Sequence, residues 1–143
     1  MIKIHSNIII GSTNDLTHIF NYVHYIINCS TNLNNLLVHP NYLNLNITQF
    51  TLDSLQILNS LYDFVNSKIL LNQNIFLLCE NGINNSLIVG IFLMMKLYKL
   101  NYTDVYYQIS ACHSINSYDF YAGLKYYEPY IIGYKILDKM DIS

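Results

Sequence analysis

Ile75-Phe76-Leu77-Leu78-Cys79-Glu80-Asn81-Gly82-Ile83-Asn84-Asn85-Ser86 is the stretch that decides the fold of this chain. Four apolar residues in a row, entered from the Asn-rich Asn72 to Asn74, read as a short buried strand. Gly82 permits a turn with positive φ, and the apolar run Leu87 to Lys99 reads as a helix starting at about Ser86. A strand that hands over to a helix through such a loop gathers backbone N–H groups and the positive end of a helix dipole at one point, which is how an oxyanion is cradled. A cysteine at that point, here Cys79, would be held toward its thiolate by the same donors.

Outward from this stretch, apolar and polar segments alternate. Leu55, Leu58, Leu61, Tyr62, Val65 and Ile69 recur at helical spacing, predicting a helix over Asp53 to Leu70, with Asp53 or Ser54 as its cap and Gln56 closing a capping box. Upstream, Ile2 to Ile4, Asn7 to Ile10, Val23 to Asn28 and Tyr42 to Leu45 read as strands. Gly11 closes the second, and Thr13 or Asn14 caps a brief helix through Phe20. Asn32 to Pro40 reads as a loop and Thr48 to Leu52 as a connection. Downstream, Asn101 to Ala111, capped by Asn101 or Thr103, and Ser117 to Tyr126 read as helices, with Pro129 ending the run before Tyr130 to Leu137. The pattern predicts an α/β fold with a central, mainly parallel sheet flanked by helices, in one domain over residues 1–143.

The strand-loop-helix resembles the H-C-x-x-G-x-x-R-S signature of the cysteine-dependent dual-specificity protein phosphatases. Cys79, Gly82 and Ser86 match it, while Leu78 stands at its His and Asn85 at its Arg. The likeness runs along almost the whole chain: Ile9-Ile10-Gly11, Ile26-Ile27-Asn28, Leu93-Met94-Met95 and Asp119-Phe120 fall in the family's order, most similar to the compact forms carried by poxviruses.

That resemblance implies a cysteine-phosphatase fold and a division of labour. Cys79 takes the nucleophile position, Ser86 that of the hydroxyl that helps the thiolate leave, and Glu80, Asn81, Gly82, Ile83 and Asn84 the phosphate loop. The family's general acid, an aspartate, falls at Ile47. Asp53 is the nearest carboxylate, six residues further on and better read as a helix cap. A phosphoryl dianion calls for a planar, permanently charged, bidentate partner, and a departing alkoxide or phenolate needs a proton. All seven basic residues are lysines, so no arginine elsewhere in the chain fills the gap at Asn85. The resemblance therefore implies a pseudophosphatase that binds a protein, with or without phosphate on it. The alternative is a weakly active tyrosine or serine/threonine phosphatase using Cys79, with Asp53 or water as the acid.

Composition bounds the rest. A net charge of −2 argues against nucleic acid or an anionic membrane as partner, and no apolar stretch approaches the roughly 18 residues of a membrane span. His5, His18, His24, His39 and His113 have no ligand spacing, so neither a metal nor a cofactor is expected. Cys29, Cys79 and Cys112 form no paired spacing, which fits a reducing compartment and a cytoplasmic protein, in host cytoplasm or virion if it is viral; Cys29 and Cys112 read as core. Tyr98, Tyr102, Tyr106, Tyr107, Tyr118, Tyr121, Tyr126, Tyr127, Tyr130 and Tyr134 crowd the C-terminal half. Those left outside the core would suit a protein partner, and the composition is compatible with a homo-oligomer.

Overall fold

A computed structural model describes residues 1–29, 41–45, 51–78, 84–110 and 118–133, with the backbone alone at 84, 85, 110 and 118–121. Its strands are β1 (Ile2–His5), β2 (Ile8–Gly11), β3 (Tyr25–Asn28), β4 (Tyr42–Asn44) and β5 (Ile75–Leu78). Its helices are α1 (Thr13–Ile19), α2 (Leu52–Ile69), α3 (Asn84–Tyr98), α4 (Tyr102–Ser110), α5 (Tyr118–Tyr126) and α6 (Glu128–Ile131), with a 3-10 turn at Phe20–Tyr22.

The strands form one sheet in the order β1-β2-β5-β3-β4, parallel throughout except for β1, which lies antiparallel on β2. β5 is central and buried at every position, as an unbroken apolar run must be when helices cover both faces of a parallel sheet. Side chains alternate between two cores. Ile8, Ile10, Ile27, Leu45, Ile75 and Leu77 join the larger one with α2, α3 and the C-terminal helices, while Ile26, Phe76 and Leu78 meet Leu16 and Val23 in a smaller one. From Ser86 to Met95 every residue of α3 is buried, which explains why its sequence is apolar all round. Gly90 lets this helix approach β2, since a Cβ there would lie 2.6 Å from Ile10 Cδ1.

The element order agrees with the sequence; several boundaries and caps do not. α1 is capped by Ser12, not Thr13 or Asn14: Ser12 Oγ accepts from the Asp15 N–H, and the Asp15 carboxylate accepts from the Ser12 N–H at 3.0 Å. Ser12 and Asp15 thus form a reciprocal capping box, and Ser12→Ala is expected to cost about 1 kcal/mol in chemical denaturation. The Ser12 backbone N–H holds the Asp15 carboxyl below its ordinary pKa, aided by the Met1 ammonium, against a smaller desolvation effect. Because the folded pKa is depressed, this stabilisation is present above about pH 4 and fades as pH falls through the folded value. Asp15→Asn is expected to flatten the stability profile in that acid range.

α2 starts one residue earlier than the sequence indicated, and its cap is Thr51, whose Oγ1 accepts from the Ser54 N–H at 3.3 Å. Asp53 lies in the first turn and Ser54 is buried inside the helix, so neither is the cap and Gln56 closes no capping box; Leu52 belongs to the helix, not to a connection. β3 begins at Tyr25, because Val23, although extended, precedes the ladder. α3 begins at Asn84, two residues before Ser86, and α5 at Tyr118. Asn101 serves α4 as expected, its Oδ1 accepting from the Asp104 N–H at 2.9 Å. Pro129 does not end the helical run but opens α6, where its missing N–H is one the first turn does not use. The expected loop over Asn32 to Pro40, the connection over Thr48 to Phe50 and the final segment beyond Gly133 lie outside the described residues.

Lys96 joins α2 to α3. Its Nζ donates to Asn59 Oδ1 at 2.8 Å and sits 4.8 Å from the centre of the Tyr62 ring. Desolvation lowers its pKa, with Lys99 adding to the effect and Asp63 opposing it. In the window between the lowered folded value and about 10.5 the unfolded chain binds more protons, so this lysine makes stability rise with pH there. Burial raises the Tyr42 pKa and acts oppositely, its contribution being lost as pH climbs above about 10. Thermal melts of Lys96→Met are expected to lack the alkaline rise and keep the alkaline fall.

Candidate functional site

Parallel strands end together. Gly11, Leu78, Asn28 and Asn44 stand side by side in register, forming a row across four strands at one edge of the sheet. The segments matched to the phosphate loop and to the general acid follow this row in the chain. Leu78 leads into residue 79, Asn44 and Leu45 lead toward residue 47, and Ser12 opens α1 beside Gly11. Open α/β sheets present their ligand crevice at the carboxyl ends of the strands for this topological reason.

Two backbone hydrogen bonds close the row. The Cys29 N–H donates to the Leu78 carbonyl and the Leu45 N–H to the Asn28 carbonyl, each at 2.8 Å. Asn28 is buried to 1% exposure, and its Nδ2 donates to Asn44 Oδ1 at 3.1 Å. In the sequence Asn28 reads only as the end of a strand. The available signal was a carboxamide terminating an otherwise apolar β-branched run.

Of the predicted site residues, Cys79, Glu80, Asn81, Gly82, Ile83 and Ile47 lie outside the described residues. Asn84 and Asn85 occupy the first turn of α3 by their backbone, and Ser86 follows them fully buried. Strand, intervening segment and helix are therefore in the predicted order, with a helix of 15 residues, four turns, beginning six positions after the strand ends. A helix of that length presents a developed partial positive charge at its start.

Two carboxylates belong to helices that begin at this edge. Asp15 is already engaged by Ser12 and has a lowered pKa, so it is a poor proton donor near neutral pH. Asp53 is exposed in the first turn of α2. Two lysines on the flanking helices are misplaced for gripping an anion here. Lys68 and Lys96 lie in the last turns of α2 and α3, helices that run from this edge of the sheet to the other. Among the described residues no group of three or more His, Cys, Asp or Glu side chains could hold a metal ion. Cys29 is buried, as expected of a core residue; Cys112 lies outside the described residues.

The tyrosines divide. Tyr102, Tyr106, Tyr127 and Tyr130 pack half-buried against the main core, and the Tyr102 N–H donates to the Glu128 carboxylate. Tyr98, Tyr107 and Tyr126 remain outside at 45%, 67% and 73% exposure, so a surplus does reach the surface. Among the described residues no helix is long and apolar enough to cross a membrane.

No protein-family profile and no curated protein matches the chain. Solved structures do. DUSP15 superposes with a TM-score of 0.78 at 18% identity, covering 94% of this chain and 90% of its own. A leucine-rich-repeat and phosphatase-domain protein from Entamoeba histolytica gives 0.71 at 18% identity, covering 97% and 93%. The human tyrosine phosphatase-like serine/threonine/tyrosine-interacting protein gives 0.68 at 17% identity, covering 88% and 93%. Five strands in this order, helices on both faces and agreement along nearly the whole length show that the chain has the fold of the dual-specificity, tyrosine-phosphatase-like phosphatases.

Proposed function

We propose that this protein is a pseudophosphatase, a phosphatase-like domain that binds other proteins instead of dephosphorylating them. One observation carries the proposal: the chain contains no arginine, and the position matching the signature arginine, Asn85, sits in the first turn of α3. The family's chemistry needs a fixed bidentate cation on the equatorial phosphoryl oxygens, and neither Lys68 nor Lys96 stands at that edge of the sheet. Ile47, at the matching position of the general acid, removes the proton donor as well.

Cys79 and Ser86 would then be inherited members of a phosphate loop whose backbone donors, over Asn81 to Ser86, still favour an anion. Binding follows one of two routes: a phosphorylated segment held by those donors, or an unphosphorylated partner meeting the exposed Tyr98, Tyr107 and Tyr126. The loss of arginine favours the second, because that residue supplies much of a phosphate site's affinity. No nucleic acid or membrane partner is part of the proposal, and the kinship with compact poxvirus forms belongs to it on composition and element order alone.

Titrating a phosphotyrosyl peptide into the protein by calorimetry, while assaying the same cell for inorganic phosphate, tests the proposal. Saturable heat with no phosphate released assigns the first route, and no heat assigns the second. Stoichiometric or continuing release of phosphate overturns the proposal and favours the weakly active enzyme.

A further inference from the structure

We propose that the outer edge of β1 docks an extended, acidic segment of a partner protein, which joins the sheet as a further strand with a carboxylate opposite Lys3. This docking rests on the protein-binding reading above and adds the chemistry of the partner. β1 is an end strand of the sheet, and among the described residues it pairs with β2 alone. Alternate residues of an edge strand turn their N–H and C=O groups outward, where an incoming strand can pair with them. The edge is held ready for this. Ile4 is buried in the main core with Ile2 packed against it, and a Cβ on Gly90 of α3 would lie 3.3 Å from Ile4 Cδ1. His5 Nδ1 accepts from the Asn7 N–H at 3.0 Å, which fixes the turn into β2. A strand already ordered loses little freedom on binding.

Charge decides which strand fits. The chain has a net charge of −2, yet Lys3 and Lys99, both exposed here, are positive. Lys3 pairs with Ile9 of β2, on the sheet face opposite that of Ile2 and Ile4. At the other end of β1 the His5 ring lies 6.1 Å from that of Tyr98, which is 45% exposed, and Lys99 follows Tyr98 in the chain. Asp15, a carboxylate near the start of β1, is taken up by Ser12 and the Met1 ammonium. Lys99 also has a strained backbone. Its φ of 56° is in the left-handed region just after α3, where glycine is the usual residue, so a lysine there gives up stability for an exposed cation. A second copy of the chain fits this edge less well, because two β1 strands paired about Lys3 would set two ammonium groups opposite each other. The strand that fits has an acidic residue between two apolar ones. Its carboxylate then meets Lys3 while its apolar side chains extend the face of Ile2 and Ile4.

Backbone amide resonances of the isotope-labelled full chain, followed while synthetic peptides without phosphate are added, test the proposal. One peptide alternates valine with glutamate, a second alternates valine with lysine, and a third is the glutamate peptide with alternate backbone nitrogens methylated so that it cannot pair as a strand. The glutamate peptide is expected to shift the amides of Ile2 to His5 and slow their exchange, while the other two leave them unchanged. Lys3→Glu is expected to weaken binding about tenfold, since one cross-strand attraction is lost and a like-charge pair is gained. Lys99→Gly is expected to weaken it about threefold and to raise the melting temperature by about 3 °C, a combination that a purely structural lysine would not give. Changes at β4 in place of β1, equal binding of the lysine or methylated peptide, or no binding of the glutamate peptide overturns the proposal. Wild type that sediments as a dimer through β1 overturns it in favour of a second copy. The pseudophosphatase reading stands or falls separately, by phosphate release, which these peptides do not involve.

Discussion

Asn85→Arg combined with Ile47→Asp is expected to turn this protein into a measurable phosphatase, with each single variant at least about 100-fold less active than the pair. The size follows from the two functions that the proposed pseudophosphatase lacks. A positioned general acid contributes about 10²- to 10⁴-fold and a preorganised charge-stabilising group about 10²- to 10³-fold. The double replacement restores both on a scaffold that already supplies Cys79 and the fully buried Ser86. Groups acting as one unit are not additive, so the pair should exceed the product of the singles. Hydrolysis restored in full by Asn85→Arg alone would mean that a proton donor is present after all, with Asp53 the first to examine, because Asp15 is held ionised by Ser12.

The largest loss of stability is expected from Phe76→Ala. Phe76 lies on the central strand at 0% exposure and fills the smaller core with Leu16, Val23, Ile26 and Leu78. Its ring also lies 3.0 Å from where a Cβ on Gly11 would be, so it packs against the turn that leads into the Ser12–Asp15 box. Truncating a buried phenylalanine costs about 3–5 kcal/mol, which in a domain of this size lowers the melting temperature by roughly 10–20 °C. The small core under α1 has few neighbours able to collapse into the cavity, which places the expected cost toward the upper end. Urea denaturation should show a lower midpoint with an unchanged slope, because the surface exposed on unfolding is nearly the same.

The sheet was legible in the sequence because its members differ in kind. Ile75 to Leu78 is an unbroken apolar run, and only a strand covered on both faces carries one; Leu87 to Met95 is apolar all round, and only a central helix does. Caps were less legible because several residues competent to cap stand together. Thr13 and Asn14 follow Ser12, and Asp53 and Ser54 follow Thr51, so propensity alone does not choose. Pairing three residues apart does choose: Ser12 finds Asp15 and Thr51 finds the Ser54 N–H. Pro129 misled for a related reason, since proline both stops helices and starts them.

The candidate site was legible as an order of residues and not as a geometry. Cys79, Gly82 and Ser86 have the spacing of the signature that the stretch resembles, and the absence of arginine is plain from composition. The pairing of Asn28 was not, because it depends on which strands become neighbours. Its partners, Leu78 and Asn44, are 50 and 16 positions away and meet it only once β5 and β4 settle on either side of β3. The split of the tyrosines likewise needed the packing of α4, α5 and α6 to show which four bury against the core.

Steady-state hydrolysis of a small aryl phosphate by the wild-type protein, with Cys79→Ser prepared and assayed alongside it, tests the central claim most directly. The two proteins are expected to be indistinguishable from each other and from buffer. Turnover by wild type that disappears in Cys79→Ser would contradict it, and would mean that this chain performs thiolate phosphatase chemistry without an arginine of its own.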